Sequence, residues 1–442
     1  MATPVERFQE LLRIPTVSHA DESETDWEPF ELFRAALERL YPLTHERLER
    51  EVLEGHSLLY RWPGAQARHP LVLMAHLDVV PVVESEWEHP PFAATIVGEG
   101  TDAAIHARGA IDDKGSLVAI LEAVEASLAE GVTPAQDVYL AFGHNEETAG
   151  GGARAIVEAL GARGVRPGLV LDEGGAVVEG VIPGVDVPTA MIGVAERGVM
   201  TLLLTVREQG GHASTPPATP ATARLARAIH RLHRHPFPTR IAPPVRAMLQ
   251  TLAPHAPQPL RGVLQRLPAT APLVAAALAR SGPEMNAIVR TTAVATQLSG
   301  APGENVLATT ARASVNIRLL HGDTVESATE RARRVIGDDE VELEVRHGSD
   351  PSPISPWRGE AWRRLGGAIV ATLGEDVVPT PYLQLGASDS RWFTAISENV
   401  YRFAPFRLTR SERDALHSHD ERIRVDVWLR GIGFYRALIA SR

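Results

Sequence analysis

His76 ends the apolar run Leu71-Val72-Leu73-Met74-Ala75, and the side chains that share its chemistry are strewn along the whole chain: Asp78, Asp112, Glu146-Glu147, Asp172-Glu173 and, far downstream, His417. Most of them follow closely on an apolar run, which is where a buried strand hands its last side chains to a loop. A chain patterned this way has to bring distant strand ends together. In layered α/β folds that meeting place is the carboxyl edge of a largely parallel sheet.

The order of elements agrees. Two amphipathic helices are predicted between residues 4 and 40, from Phe8, Leu11 and Leu12 and then Phe30, Phe33, Leu37 and Leu40. From 57 to 195, strand-like runs (71–74, 138–142, 169–171) alternate with helical ones (115–128, 153–160), the signature of an α/β layer. The pattern then changes to strand, helix, two strands, helix, strand, with strands near 201–206, 286–299, 311–320 and 340–346 and helices near 220–232 and 324–335. That is the order of a split βαβ, ferredoxin-like α+β unit. A proline-rich stretch at 236–284 interrupts it, and the α/β pattern resumes after 356. The expected organisation is a catalytic domain of residues 1–196 and 351–442, with a lid domain of residues 197–350 inserted in it. Gly193, Gly198 and the stretch 348–355 are the expected hinges.

A chain of 442 residues with 44% hydrophobic and 22% charged content has material for two cores. The net charge of -11 argues against a nucleic-acid partner. Cysteine is absent, so a metal has to be held by His, Asp and Glu, the ligand types of a catalytic zinc centre. The first residues, Met1 to Phe8, are too polar for a signal peptide, and no apolar run approaches the roughly 20 residues of a membrane span. A soluble, cytoplasmic protein with no membrane partner is expected. Lys114 is the only lysine among 44 lysines and arginines, which is most simply a coding bias.

The spacing gives each ligand-type group a job. His76 can bind metal while Asp78, two residues on and on the same side, accepts its other ring N–H and fixes the tautomer. Asp112 or Asp113, ahead of a helix, either caps that helix or bridges two cations. Glu146 and Glu147, if extended, point opposite ways, one to a metal and the other to a water. A ligand beside a general base is what hydrolysis needs. Asp172-Glu173 and His417 supply further donors.

The segments HLDVVP, RGAIDDKG, HNEETAGG, LDEGG, GHASTPP, NVLATTARASVNIR, GASDSR and LHSHDERI resemble those of the co-catalytic dizinc metallopeptidase and aminoacylase family, in matching order from about residue 5 to 440. That family includes carboxypeptidase S, aminoacylase, succinyl-diaminopimelate desuccinylase and carnosinase. The carboxypeptidase S and N-fatty-acyl-amino-acid hydrolase branch is the most similar, through WEHPPF, LDEGG and the proline-rich insertion. The resemblance implies two Zn²⁺, with Co²⁺ or Mn²⁺ as substitutes. His76, Asp112, Glu147, Asp172 and His417 would be the ligands, Asp112 bridging; relatives differ over Asp172 or Glu173, and Asp172 is preferred. It further implies Asp78 as the orienting carboxylate, Glu146 as general base acting on a zinc-bound hydroxide, and a cis peptide between Asp112 and Asp113. Asn145 departs from the aspartate that many relatives carry.

On the substrate side, the resemblance makes His212 an oxyanion donor, often reaching over from the second subunit of a dimer formed through the lid. Asn305, Arg318 and the loop bearing Gly386 and Ser388 would hold a small substrate's carboxylate. The expected reaction is cleavage of the amide before a C-terminal amino acid in N-acyl amino acids or short peptides. A desuccinylase-type deacylase of an acidic substrate and a non-catalytic binder of amino-acid derivatives are the alternatives. Met248, Leu249, Leu252, Leu260, Leu264 and Leu267 of the insertion either wall an acyl pocket or pack against the smaller domain.

Overall fold

A nine-stranded sheet carries most of the larger core in the computed structural model, which describes residues 2–182 and 184–441. Its order is 49–53, 57–62, 136–143, 66–76, 169–172, 400–402, 189–196 and 378–384, with 177–178 also paired to 189–196. The strands Gln66–His76, Gln136–Gly143, Leu169–Asp172 and Val400–Arg402 run parallel at its centre. Antiparallel pairing is kept for the hairpin at one edge and for the short contacts of Thr189–Glu196 with 400–402 and 177–178, while Thr189–Glu196 runs parallel to Val378–Gln384. The edge strand Val378–Gln384 contains Pro379 and Pro381, tolerable where one side of the ladder is unpaired.

The apolar run before His76 is unbroken because both faces of its strand are covered. Leu71, Leu73 and Ala75 point into one cluster, with the helices Lys114–Ala129 and Val425–Ala440. Val72 and Met74 point into a second, under the helix Gly152–Ala162. The period of two along a strand makes that division.

Four antiparallel strands form the second sheet, in the order 292–299, 310–319, 198–207 and 342–349. Met200, Leu202, Leu204 and Val206 alternate onto one face and meet Leu225 and Ala228 of the helix Ala221–Arg234 and Ala328 and Ala332 of the helix Val325–Ile336. The latter helix starts on a Thr324 capping box and ends on Gly337 at φ 53.

The proline-rich insertion folds into the helices Pro243–Leu252, Leu260–Gln265, Leu267–Leu278 and Pro283–Val289. Met248, Leu249, Leu252, Leu264 and Leu267 are buried in the larger core, with the first helix against the edge strand Val378–Gln384. They neither wall an open pocket nor join the smaller core. Covering a proline-bearing edge strand is the physical reason, because an uncovered edge is a site of unwanted pairing.

Trp428 knits the larger unit together. It is fully buried, stacks on Phe8 with ring centroids 4.4 Å apart, and donates from Nε1 to the Gly115 carbonyl at 3.0 Å. The Trp428→Ala variant should lose about 3–5 kcal/mol of stability in urea unfolding; a loss under about 1 kcal/mol would contradict this packing role.

Candidate metal centre

His76, at the end of its strand, is almost fully buried and faces Asp112 on one side and Asp78 on the other. Nε2 lies 2.9 Å from Asp112 Oδ1, and Nδ1 lies 2.9 Å from the Asp78 carbonyl and 3.4 Å from its carboxylate. The tautomer is thus held mainly by the backbone of Asp78. The Asp78 carboxylate also accepts from Ser18 Oγ at 2.6 Å and from the backbone N–H of Glu146 and Glu147 at 3.1 and 3.2 Å. Glu146 and Glu147 therefore sit in a tight turn, closed by Asn145 Oδ1 accepting from Gly152 N–H, and not on the extended backbone expected from the sequence.

Asp112 presents its other oxygen to His417, with Oδ2 to Nε2 at 2.9 Å. The same imidazole nitrogen lies 3.1 Å from Glu147 Oε2. The peptide between Asp112 and Asp113 is cis, as the resemblance implied. Asp113 turns inward, fully buried, and burial pushes its carboxyl well above the usual carboxylate range. His417 takes a left-handed backbone conformation at φ 56 in the turn after the short helix Arg410–Asp414.

Two groups of donors converge, with ligand atoms within 4.8 Å of one another: His76, Asp112 and Glu173, and Asp112, Glu147 and His417. Asp112 belongs to both. Where the sequence favours Asp172, the structure brings Glu173 to His76. Asp172, the last residue of its strand, is turned away and accepts from Ser390 N–H at 2.9 Å. Successive side chains leave a strand on opposite faces, so only one of the pair can look at His76.

Glu421 is not singled out by the sequence although it stands four residues after His417. Fully buried, it accepts from Arg108 Nη1 at 2.6 Å and from the backbone N–H of Gly109, Ile111 and Asp112 at 3.1, 2.7 and 3.1 Å. It holds the loop that presents Asp112. A buried acid downstream of a long gap has no local signal, so only the shared segment with His417 could have flagged it.

The electrostatics call for cations. Burial, then the neighbouring Asp389, Asp112 and Glu147 carboxylates, pushes the Glu146 carboxyl well above its ordinary range. Burial and the acids around it do the same to Glu173. Asp112 and Glu147 beside it raise the His417 imidazole to about 10. Burial pulls the Lys114 ammonium down to about 7, with Asp78 and Glu421 opposing. The carboxylates of Asp112, Glu147 and Glu173, with Glu146 beside them, against two imidazoles, and Glu147 Oε1 buried and unpaired, fit a pair of divalent ions.

The residues expected on the substrate side are not gathered at this cluster. His212 and Asn305 are exposed on the smaller sheet unit, where His212 Nδ1 accepts from Ser214 N–H and the Asn305 carbonyl accepts from Ala213 N–H. Arg318 is half-buried and donates to Asn316 Oδ1 at 3.1 Å. Gly386 is exposed, whereas the Ser388 hydroxyl is buried and donates to Glu196 at 2.9 Å, so that this hydroxyl is already engaged.

An acid cluster bridged by one carboxylate at the carboxyl edge of a mostly parallel sheet, with a second antiparallel unit inserted, defines a metal-dependent hydrolase of amide or peptide bonds. Residues 72–441 match the Peptidase family M20/M25/M40, and the chain belongs to that family. The N-fatty-acyl-amino acid synthase/hydrolase PM20D1 of Xenopus tropicalis is 36% identical over 446 residues, covering 99% of this chain and 85% of that protein. The probable carboxypeptidase S-like 2 of Dictyostelium discoideum is 32% identical over 444 residues, covering 99% and 84%. Among solved structures, the M20 family metallo-carboxypeptidase Sso-CP2 from Sulfolobus solfataricus is similar in fold, with TM-score 0.72, 17% identity, and 100% and 99% of the two chains covered. Human carnosine dipeptidase 1 gives TM-score 0.64 at 17% identity, covering 99% and 95%.

Glu421→Gln keeps the side chain's shape but replaces one acceptor oxygen with a donor. Metal affinity measured by chelator competition should fall about 10–100-fold, as for other groups that orient metal ligands. Unchanged affinity would count against the clamp.

Proposed function

We propose that this chain hydrolyses the amide before a C-terminal amino acid in N-acyl amino acids or short peptides, with two zinc ions and the cytoplasm as its setting. The Asp112 carboxylate, 2.9 Å from both His76 and His417, is the observation that carries it. His76 and Glu173 would hold one ion, Glu147 and His417 the other, and Asp112 both. Co²⁺ or Mn²⁺ would serve the same donor set. When bound, the ions would lower the pKa of a shared water and polarise the scissile carbonyl.

The residues do the rest. Glu146, its backbone pinned by Asp78 and its carboxylate made more basic by burial, takes the proton of the attacking water and delivers it to the leaving amine. Arg318, with the backbone of Gly386 to Ser388 and Asn305, would grip the substrate carboxylate as a planar fork grips two oxygens. The relatives named for N-fatty-acyl amino acids, aligned over 99% of this chain, favour a long acyl group.

We further read residues 197–350, apart from the inserted helices that pack on the larger core, as a lid that also carries a dimer contact. His212 is exposed on it, away from the cluster, and the edge strand Thr292–Ser299 exposes Val294 and Leu298. The His212 of a second copy would then complete the oxyanion site.

A panel of N-acyl amino acids, their C-terminal amides and dipeptides, assayed with zinc-loaded protein, tests the reading: the free acids should be cleaved and the amides spared. No turnover of any free acid would overturn it. Glu146→Gln should keep its metal by elemental analysis and lose about 10²–10⁴-fold in kcat; wild-type turnover would remove Glu146 from the role. His212→Ala should cost ~10²–10³ in kcat, and sedimentation should return a dimer; an active monomer would refute the shared site.

A further inference from the structure

Composition explains a general preference for arginine in this chain, so the question is what position 114 needs that a guanidinium lacks. The only lysine is fully buried at the first turn of the helix Lys114–Ala129. Its ammonium donates to the Ile14 carbonyl at 2.6 Å, lies 3.5 Å from the Leu11 carbonyl, and sits 5.0 Å from the centre of the Phe33 ring. Leu11 belongs to the last turn of the helix Pro4–Leu12, where carbonyls lack helical partners and the dipole favours a cation. The stem is confined as well: a Cβ at Gly109 would meet Lys114 Cδ at 3.4 Å and Cγ at 3.6 Å. A guanidinium is wider and brings five donors to a niche offering two carbonyls, leaving the others buried and unpaired.

That contact is one end of a strap. Two residues beyond Ile14, Thr16 donates from Oγ1 to the Leu77 carbonyl at 2.6 Å, and its own carbonyl accepts from Val79 N–H at 2.9 Å. Ser18 then donates to Asp78 at 2.6 Å. Asp78 in turn carries His76 and the Glu146-Glu147 turn. At the other end, Lys114 directly follows Asp112 and Asp113.

We propose that Lys114 is a positioning residue for the metal centre: by anchoring residues 11–18 it fixes the loop that carries Asp112 against the loop that carries His76 and Asp78. The proposal rests on the reading of these loops as metal-bearing. Lys114 touches neither substrate nor metal itself.

Lys114→Arg and Lys114→Met, compared with the wild-type full chain, test it through two readouts: zinc affinity by competition with a chromophoric chelator, and amide hydrogen exchange across residues 11–18. Both variants should bind zinc about 10–100-fold more weakly and exchange faster over 11–18 than over the rest of the chain. A merely structural role would lower the melting temperature and leave zinc affinity of the folded protein unchanged. Wild-type affinity in folded K114R therefore overturns the proposal and returns the single lysine to coding bias. Should neither variant fold, Ser18→Ala cuts the strap at its far end; weaker zinc binding supports the proposal and unchanged affinity overturns it. Wild-type protein that takes up no zinc would instead sink the metal-centre reading, while exchange at 11–18 in the variants still reports on the anchor.

Discussion

Carboxylates crowded at one edge of a sheet repel one another, and the backbone that presents them has to be held against that repulsion before any cation arrives. The protein does this with other carboxylates. Asp78 collects the N–H groups of Glu146 and Glu147 and the hydroxyl of Ser18. Glu421 collects three N–H groups of the loop that ends in Asp112 and neutralises part of its charge on Arg108. Asp172 accepts one N–H, that of Ser390, from the loop that carries Ser388. The turn that carries Glu147 and the loop that carries Asp112 are thus each secured by an acid that is not itself a member of the convergent donor groups. A carboxylate accepting several N–H bonds is a strong clamp because each bond is charge-assisted.

This division of labour explains what could be read from the sequence. The acid pairs at 112–113 and 146–147 and the histidines at 76 and 417 were legible as candidate donors because apolar runs mark where strands end, while the choice of Asp112 and Glu147 within their pairs came from the resemblance. The structure brings these four side chains into the convergent groups. Glu173 was not separable from Asp172, since which of two adjacent acids faces inward depends on how the strand leaves the sheet, a matter settled by Ser390 from a remote segment. The turn at Glu146 was hidden for the same reason: Asp78, distant in sequence, bends it. Glu421 gives no local sign of its role, because its partners lie more than three hundred positions upstream.

The insertion makes a parallel point about packing. Its apolar periodicity was plain in Met248, Leu249 and Leu252, yet periodicity identifies a face that needs covering and not the surface that covers it. The surface is the larger core, beside the edge strand that Pro379 and Pro381 make unsuitable for further pairing. A segment that interrupts the smaller unit in sequence therefore belongs to the larger one in space.

The same economy shapes the neck between the units. Glu196 ends a strand of the large sheet and is paired to Arg402 at 2.6 Å with both side chains fully buried, and breaking one partner of such a pair costs about 3–5 kcal/mol because the other charge is stranded. Gly198 begins the first strand of the smaller sheet, and a Cβ there would meet the Ser349 carbonyl at 2.6 Å and Pro351 N at 2.8 Å, so the outgoing and returning chains touch at this point. Between them, Arg197 donates to the carbonyls of Arg290 and Arg318 and to Thr292 Oγ1. One buried guanidinium thus ties the outgoing chain to the strands of the smaller sheet that carry Thr292 and Arg318.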